Sequence, residues 1–283
     1  MIKLENVQFG YRKEKPLFQD LNLELSGGHI YGLLGKNGAG KTTLMKLMSG
    51  MRFPTSGRVE MLGFPAMLRE PEMLSNIYFL AEEIYVPMLN IRDFVDLYAP
   101  FYPHFNREQM SQYLNEFEVG ESKQLMTSMS HGQKKKVMIA FALATNTQIL
   151  LMDEPTNGLD IPSKSMFRKV MAQAADEQRS FIISTHQVRD LHSLIDSIII
   201  LDNGKIIVNA TNDEILQKFL FKVYDNQDDI KNVLYSEDTL RGIYAITENL
   251  TGEESKLDIE LFFNAVLSLS QKNRIQEILN AKN

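Results

Sequence analysis

"HIYGLLGKNGAGKTTLMKLMSG", His29 to Gly50, joins a short apolar run to a glycine-rich loop and then to a helix-forming run that ends at a glycine. Its loop, Gly35-Lys36-Asn37-Gly38-Ala39-Gly40-Lys41-Thr42, matches the phosphate-binding pattern G-x-x-x-x-G-K-[ST] at every fixed position. A strand before the loop and a helix after it are the context that the pattern requires. The residue types follow from the chemistry. Glycines let consecutive backbone N–H groups turn inward around phosphate oxygens, and a helix N-terminus adds its positive dipole end. Lys41 brings a mobile cation to the β- and γ-phosphates, and Thr42 offers a hydroxyl to Mg²⁺. Gly35, Asn37, Gly38, Ala39, Gly40, Lys41, Thr42 and Thr43 are therefore the candidate triphosphate-binding residues.

A second stretch completes this chemistry. "QILLMDEP" reads as a buried strand ending in Asp153 and Glu154. At the C-terminal end of such a strand both carboxylates can reach the crevice where α/β sheets bind ligands. Asp153 is the expected Mg²⁺ ligand, direct or through water, and Glu154 is expected to orient or activate the attacking water. "FIISTH" places His186 just past another buried strand, where a γ-phosphate contact is expected.

Apolar strands alternate with helices over much of the chain, which predicts a mainly parallel sheet covered on both faces. Strands are expected at "IKLENV", "LNLEL", "HIYGLL", "GRVEM", "NIYFL", "QILLM", "FIIST", "SIIIL" and "KIIVN", with helices over 41–49, 163–176 and 187–195. Residues 91–145 read as mostly helical. The expected fold is α/β: a P-loop NTPase core with a mainly parallel sheet, an antiparallel β subdomain and a helical insert over about 88–140. The core spans 1–211. A small α+β accessory segment occupies 212–283, with a capping box from Thr211 to Glu214, strands "LFKVYD" and "GIYAIT", and an amphipathic helix in "DIELFFNAVLSL" packed on its own domain.

Composition narrows the classes. With 283 residues, 44% hydrophobic and 23% charged, the chain can bury a sizeable core. A net charge of −6 argues against non-specific nucleic-acid binding, and the absence of cysteine excludes a disulfide framework or Cys-ligated zinc. No apolar run approaches the ~20 residues that span a bilayer, and the N-terminus has no signal-peptide pattern. A membrane role is expected to come through a partner.

"MSHGQ", Met129 to Gln133, carries no carboxylate or nucleophile. Ser130 and Gln133 have the spacing of a capping box at a helix start. Taken in order, the phosphate loop, helical insert, "MSHGQ", "ILLMDEP", "NGLD" and "STH" resemble the nucleotide-binding subunit of ATP-binding cassette (ABC) transporters over about residues 1–210. The resemblance implies that Ser130, Gly132 and Gln133 close over ATP bound to the opposite subunit of a head-to-tail dimer. Met129 and His131 depart from the family's "LSGGQ"; His131 either points away from the phosphate or adds a pH-sensitive contact. The resemblance further implies that Asp160 of "NGLD" lies along the dimer seam and helps to position water, and that Tyr11 stacks on adenine. Where the family has a Gln after the strand that "NIYFL" resembles, this chain has Glu82, or Glu83 if the loop is shifted by one. A carboxylate there can still ligate Mg²⁺ beside Thr42 and Asp153, but adds negative charge near the triphosphate.

The function so implied is that of an ATPase using ATP and Mg²⁺, with Glu154, His186 and Lys41 as catalytic residues. It would work as a homodimer or heterodimer on a separate polytopic transmembrane subunit, cytoplasmic and peripheral on the inner face of the membrane, without nucleic acid. The single cassette and short tail resemble exporter subunits more than sugar importers. The aromatic-rich residues 85–105 are either the docking surface, the insert's core, or both. A soluble ABC-type ATPase acting in ribosome, repair or assembly work is the alternative. It is disfavoured by the absence of a second cassette, of a basic linker and of a long coiled coil.

Overall fold

A computed structural model describes residues 2–12, 14–120, 124–226, 232–240, 242–268 and 272–281. In chain order the elements are β1 (Ile2–Phe9), β2 (Phe18–Leu25), β3 (Ile30–Leu34), α1 (Lys41–Met48), β4 (Ser56–Met61), β5 (Phe64–Pro65), α2 (Pro71–Ser75) and β6 (Ile77–Leu80). The middle of the chain forms α3 (Ile91–Tyr98), α4 (Arg107–Glu116), α5 (His131–Ala144), β7 (Ile149–Asp153), α6 (Ile161–Ala174), β8 (Ser180–Thr185), β9 (Ser197–Asp202) and β10 (Lys205–Thr211). The last part forms α7 (Asn212–Lys218), β11 (Phe219–Tyr224), β12 (Val233–Thr239), β13 (Gly242–Glu248), α8 (Ile259–Leu267) and α9 (Lys272–Asn280).

The central sheet has the order β10-β9-β3-β8-β7-β6. All its pairings are parallel except that of β10 with β9. Its inner strands are unbroken apolar runs because both faces are covered. Side-chain alternation divides them between two cores. Leu33, Leu151, Ile182 and Ile199 point to α1 and to the antiparallel sheet β2-β1-β4-β5. Their neighbours Leu34, Met152, Ile183 and Ile200 point to the other face, where Phe141 of α5 and Phe167 of α6 pack. The helix α1 is thus clamped between two sheets, with Leu44, Met45, Leu47 and Met48 buried.

The sequence expectation of a helix over 187–195 is corrected. Among these residues only Val188–Asp190 form a short 3₁₀ turn, followed by further turns. The segment satisfies its polar groups on α6 instead: Lys164 binds the Asp190 carboxylate at 2.6 Å and Arg168 donates to the Asp190 carbonyl. Two elements carried no clear pattern in the sequence. Strand β12 is an edge strand with mostly polar, exposed residues, and α9 is a short polar helix anchored by Ile275 and Ile278. Helix α5 runs unbroken through residue 140 to Ala144. Helix α8 packs inward through Ile259, Leu261, Phe262 and Val266, and these side chains belong to the same core as α5 and α6.

Arg179 fastens the far end of this core. It is only 5% exposed, yet its guanidinium donates to the carbonyls of Leu143, Thr147 and Ala174 and stacks over Phe181 at 5.0 Å. One cation thereby serves carbonyls at the C-terminal ends of α5 and α6, where helix dipoles favour positive charge. Arg179→Ala would strip the Thr147 and Ala174 carbonyls of their side-chain donor and leave that of Leu143 with backbone N–H groups alone. We expect it to lower the unfolding free energy by about 3 kcal/mol, measured by urea denaturation.

Candidate functional site

Because β6, β7, β8 and β3 are adjacent and parallel, the chain leaves all four strands along one edge of the sheet. The loops that follow carry Glu82, Asp153–Glu154, His186 and the Gly35–Gly40 turn. A cavity of about 560 Å³ opens there, lined by Tyr11, Asn37, Gly38, Gly40, Lys41, Thr42, Thr43, Glu82, Asp153, Glu154 and His186. The cavity thus brings together most of the residues singled out in the sequence. Glu82, not Glu83, is the one that lines the cavity.

The phosphate loop is shaped for an anion. Gly40 precedes α1 at φ 110°, where a side chain would also strike the Phe18 ring. The helix has no side-chain cap and no acidic residue in its first turn, so its leading N–H groups remain available to an anion. Lys41 is 7% exposed and its Nζ folds back onto the Gly35 carbonyl at 2.8 Å. Burial pulls its pKa down, opposed by the charges of Glu154, Asp153 and Glu82. Gly35 and Ala39 support the loop from behind: a side chain at Gly35 would meet the Leu201 carbonyl and the Ala39 methyl.

Asp153 is the most constrained acid. It is 2% exposed, and its two oxygens accept from Thr42 Oγ1 at 2.6 Å and from Ser184 Oγ at 2.5 Å. Ser184 stands beside it in the β7–β8 register. The same serine accepts from the Glu154 N–H at 3.0 Å. Glu154 takes up a left-handed backbone conformation, φ 46°, rare for a residue with a side chain and typical of constrained sites. Its Oε1 meets His186 Nδ1 at 2.8 Å. An ionised carboxylate only accepts, so Nδ1 carries the proton. The buried Oε2 has no hydrogen-bond partner among the described residues.

Residues that sequence reasoning missed complete the site. Asn157 Nδ2 donates to Glu82 Oε1 at 2.9 Å. Ser184 links Asp153 to Glu154. Lys135, fully buried in α5, donates to the Glu154 carbonyl at 2.7 Å. Arg52 lies 5.8 Å from the centre of the Tyr11 ring, and the Tyr11 hydroxyl meets Thr43 Oγ1 at 3.0 Å. That ring is 60% exposed, with one edge against Phe9.

The signature stretch is elsewhere. Ser130, Gly132 and Gln133 do not line the cavity; they form the start of α5, with the reciprocal Ser130–Gln133 capping box in place. The His131 ring lies against Gly158, where any side chain would run into it. Asp160 also stays outside the cavity: its carboxylate caps α6 by accepting from the Ser163 N–H at 2.9 Å. It is Asn157, three residues earlier, that touches a cavity residue, by its bond to Glu82.

A metal would have to be held by oxygen. Among the described residues no group of three His, Asp or Glu side chains is placed to bind one. The Thr42 hydroxyl and the Asp153 carboxylate do converge, with Glu82 on the same cavity. A hydroxyl, carboxylates and remaining positions for water and phosphate form the hard donor set that suits Mg²⁺.

The family model described as ABC transporter matches residues 18–157. The bacitracin transport ATP-binding protein BcrA of Bacillus licheniformis is 30% identical over 221 residues, covering 77% of this chain and 72% of its own. This chain belongs to the ABC transporter family. As an ABC cassette it is an ATPase. The ABC transporter ATP-binding protein NatA of Bacillus subtilis is 27% identical over 261 residues, covering 86% of this chain and all of NatA. Among solved structures, an ATP-binding subunit of an ABC transporter matches with a TM-score of 0.68 at 23% identity, covering 76% of this cassette and 91% of that chain. A bacterial Atm1-family ABC exporter with ATP bound matches at 0.67 and 22%, covering 76% and 39%. At those identities the structures bear on the fold, which agrees with the α/β expectation. No helix of the cassette, among the described residues, is long and apolar enough to cross a membrane.

Glu82 adds a negative charge to the cavity beside the glycine-rich loop. Replacing it by Gln keeps an acceptor for Asn157 and removes the repulsion. We expect Glu82→Gln to hold or raise ATP affinity, by up to about tenfold, in equilibrium binding of a fluorescent ATP analogue. A large loss with the fold intact would remove Glu82 from the site.

Proposed function

We propose that this cassette is the energy-coupling ATPase of an exporter, acting as a head-to-tail dimer on a separate transmembrane subunit at the inner face of the membrane. The observation that carries this reading is the division of the motifs. Lys41, Thr42, Asp153, Glu154 and His186 share one cavity, whereas Ser130 and Gly132 stand outside it at the start of α5. A cage completed by a second subunit uses both. The Ser130 oxygen is occupied by the Gln133 N–H, which leaves its O–H proton to donate, together with the Gly132 N–H and the helix dipole.

In this reading Lys41 and the loop amides bind the β- and γ-phosphates, and Tyr11 with Arg52 flanks the base. Thr42, Asp153 and Glu82 hold Mg²⁺, which neutralises charge on the phosphates when bound. Glu154 orients and activates water through its unfilled Oε2, and His186 fixes the Glu154 carboxylate while its other face reaches the γ-phosphate. Phosphoryl transfer depends on such positioning and charge neutralisation. Because the cage closes only in the dimer, turnover becomes an opening and closing motion.

The surface for the transmembrane subunit is a second cavity of about 870 Å³, lined among others by Tyr85, Phe94, Tyr98, Phe101 and Tyr102. Its aromatics do both jobs. Phe94 packs on Phe141 of α5, while Tyr85 and Phe101 are 89% and 66% exposed. The similarity to BcrA, a bacitracin transport ATP-binding protein, supports a role in transport.

Glu154→Gln should slow steady-state turnover by roughly 10² or more while ATP binding is retained, as expected on losing one well-placed general base; near-normal turnover would refute Glu154 in that role. Affinity purification of the tagged cassette from mildly solubilised native membranes should yield a stoichiometric multi-spanning protein, identified by mass. A soluble or ribosomal partner, with the cassette absent from the membrane fraction, would favour the soluble ATPase instead.

A further inference from the structure

Three lysines follow the signature stretch, and the middle one is not a surface charge. Lys134 and Lys136 are half-buried, whereas Lys135 is 0% exposed. A wholly buried ammonium is costly unless it is paired and hydrogen-bonded. Among the described residues Lys135 Nζ has one hydrogen-bond acceptor, the carbonyl of Glu154, at 2.7 Å. Its charge is set against three carboxylates, Glu82, Glu154 and Asp153, which oppose the downward pull of burial on its pKa. These are the same three that act on Lys41.

The bond falls at a telling point of the backbone. Glu154 stands at φ 46°, and both of its peptide groups are held. Its N–H is taken by the hydroxyl and the carbonyl of Ser184, at 3.0 and 3.2 Å. Its carbonyl is taken by Lys135 and by the N–H of Asn157 at 3.2 Å, the turn that leads into the loop touching Glu82 and His131. The backbone of an acid so pinned decides where its carboxylate points. Lys135 reaches it from the second turn of α5, the helix whose first turn is the Ser130–Gln133 capping box.

We propose that Lys135 is a positioning residue for hydrolysis: by binding the Glu154 carbonyl from the signature helix, it locks the Glu154 backbone and couples that helix to the subunit's own attacking-water site. This rests on the reading of Glu154 as the base. A subunit whose signature engages its partner's ATP would transmit that engagement, through one side chain, to its own Glu154. The ammonium also offsets the charge that Glu82 adds, so the carboxylate-rich site keeps a buried cation on each of two helices, Lys41 on α1 and Lys135 on α5.

Lys135→Met fills the slot with a side chain of similar length that has neither charge nor donor. It should lower kcat by about tenfold or more, in the range a small misplacement of a catalytic group produces. KM for ATP, and the affinity for a fluorescent ATP analogue measured without magnesium, should stay within about threefold. The double variant Glu82→Gln/Lys135→Met removes one charge of each sign, and so preserves the net charge of the site if the single variant aggregates. Its kcat should fall by the same factor relative to Glu82→Gln alone. A kcat within about twofold of the parent in either pair, or a loss carried wholly by KM, overturns the proposal. Glu154→Gln run alongside separates the two failures. If it is inactive while Lys135→Met is normal, only the role of Lys135 falls; if it is near normal, the reading of Glu154 falls first.

Discussion

Asp153 between Thr42 and Ser184 is the contact on which the site depends. A carboxylate removed from water is strongly unfavourable unless its oxygens are hydrogen-bonded, and both are, by hydroxyls from two different elements. The contact ties the first turn of α1 to the ends of β7 and β8. It thereby sets the distance between the phosphate loop and the acid pair. Ser184 then passes the constraint on, because the same oxygen accepts from the Glu154 N–H. The parallel register places Ser184 opposite Asp153, so a slip of one residue would turn either side chain to the other face of the sheet.

Charge balance is the second constraint. Asp153, Glu154 and Glu82 gather where a triphosphate is to bind, an arrangement that would repel the ligand if nothing opposed it. Lys41 answers from the phosphate loop and Lys135 from the signature helix, both desolvated. Desolvation raises the cost of each cation but also strengthens its interaction with nearby charge. Glu82 is exposed and held through Asn157, so its charge is the most screened of the three.

The parts of this architecture that were legible in the sequence are those with local rules. The strand–loop–helix around Gly35 to Thr42, the buried run ending in Asp153, and the Ser130–Gln133 and Thr211–Glu214 capping boxes each follow from residue types at fixed spacing. What escaped was decided by tertiary contact. Residues 187–195 have apolar spacing that suits a helix, but Arg168 and Lys164 of α6 draw Asp190 out of one. Lys135 sits in a run of three lysines, and only the burial of one face of α5, which sets its Nζ on the Glu154 carbonyl, separates it from its neighbours. Asp160 and Asn157 lie in the same short loop. Nothing in their identities says which one caps a helix and which one holds Glu82.

The segment after His186 shows how the last third of the chain bears on the site. Immediately beyond the histidine, Val188–Asp190 is gripped from two sides: Lys164 of α6 holds Asp190, and Arg189 pairs with Glu260 in the first turn of α8. Val188 and Leu191 are buried in the core that Phe219 and Phe262 share. Helix α8 is therefore packed against the connection that carries His186, and His186 in turn holds the Glu154 carboxylate. A displacement of α8 would act on that connection directly, through an ion pair exposed to solvent and an apolar contact that is not. Of the two, the apolar contact is the stronger constraint, because a solvent-screened pair contributes little while buried side chains cannot shift without opening a void.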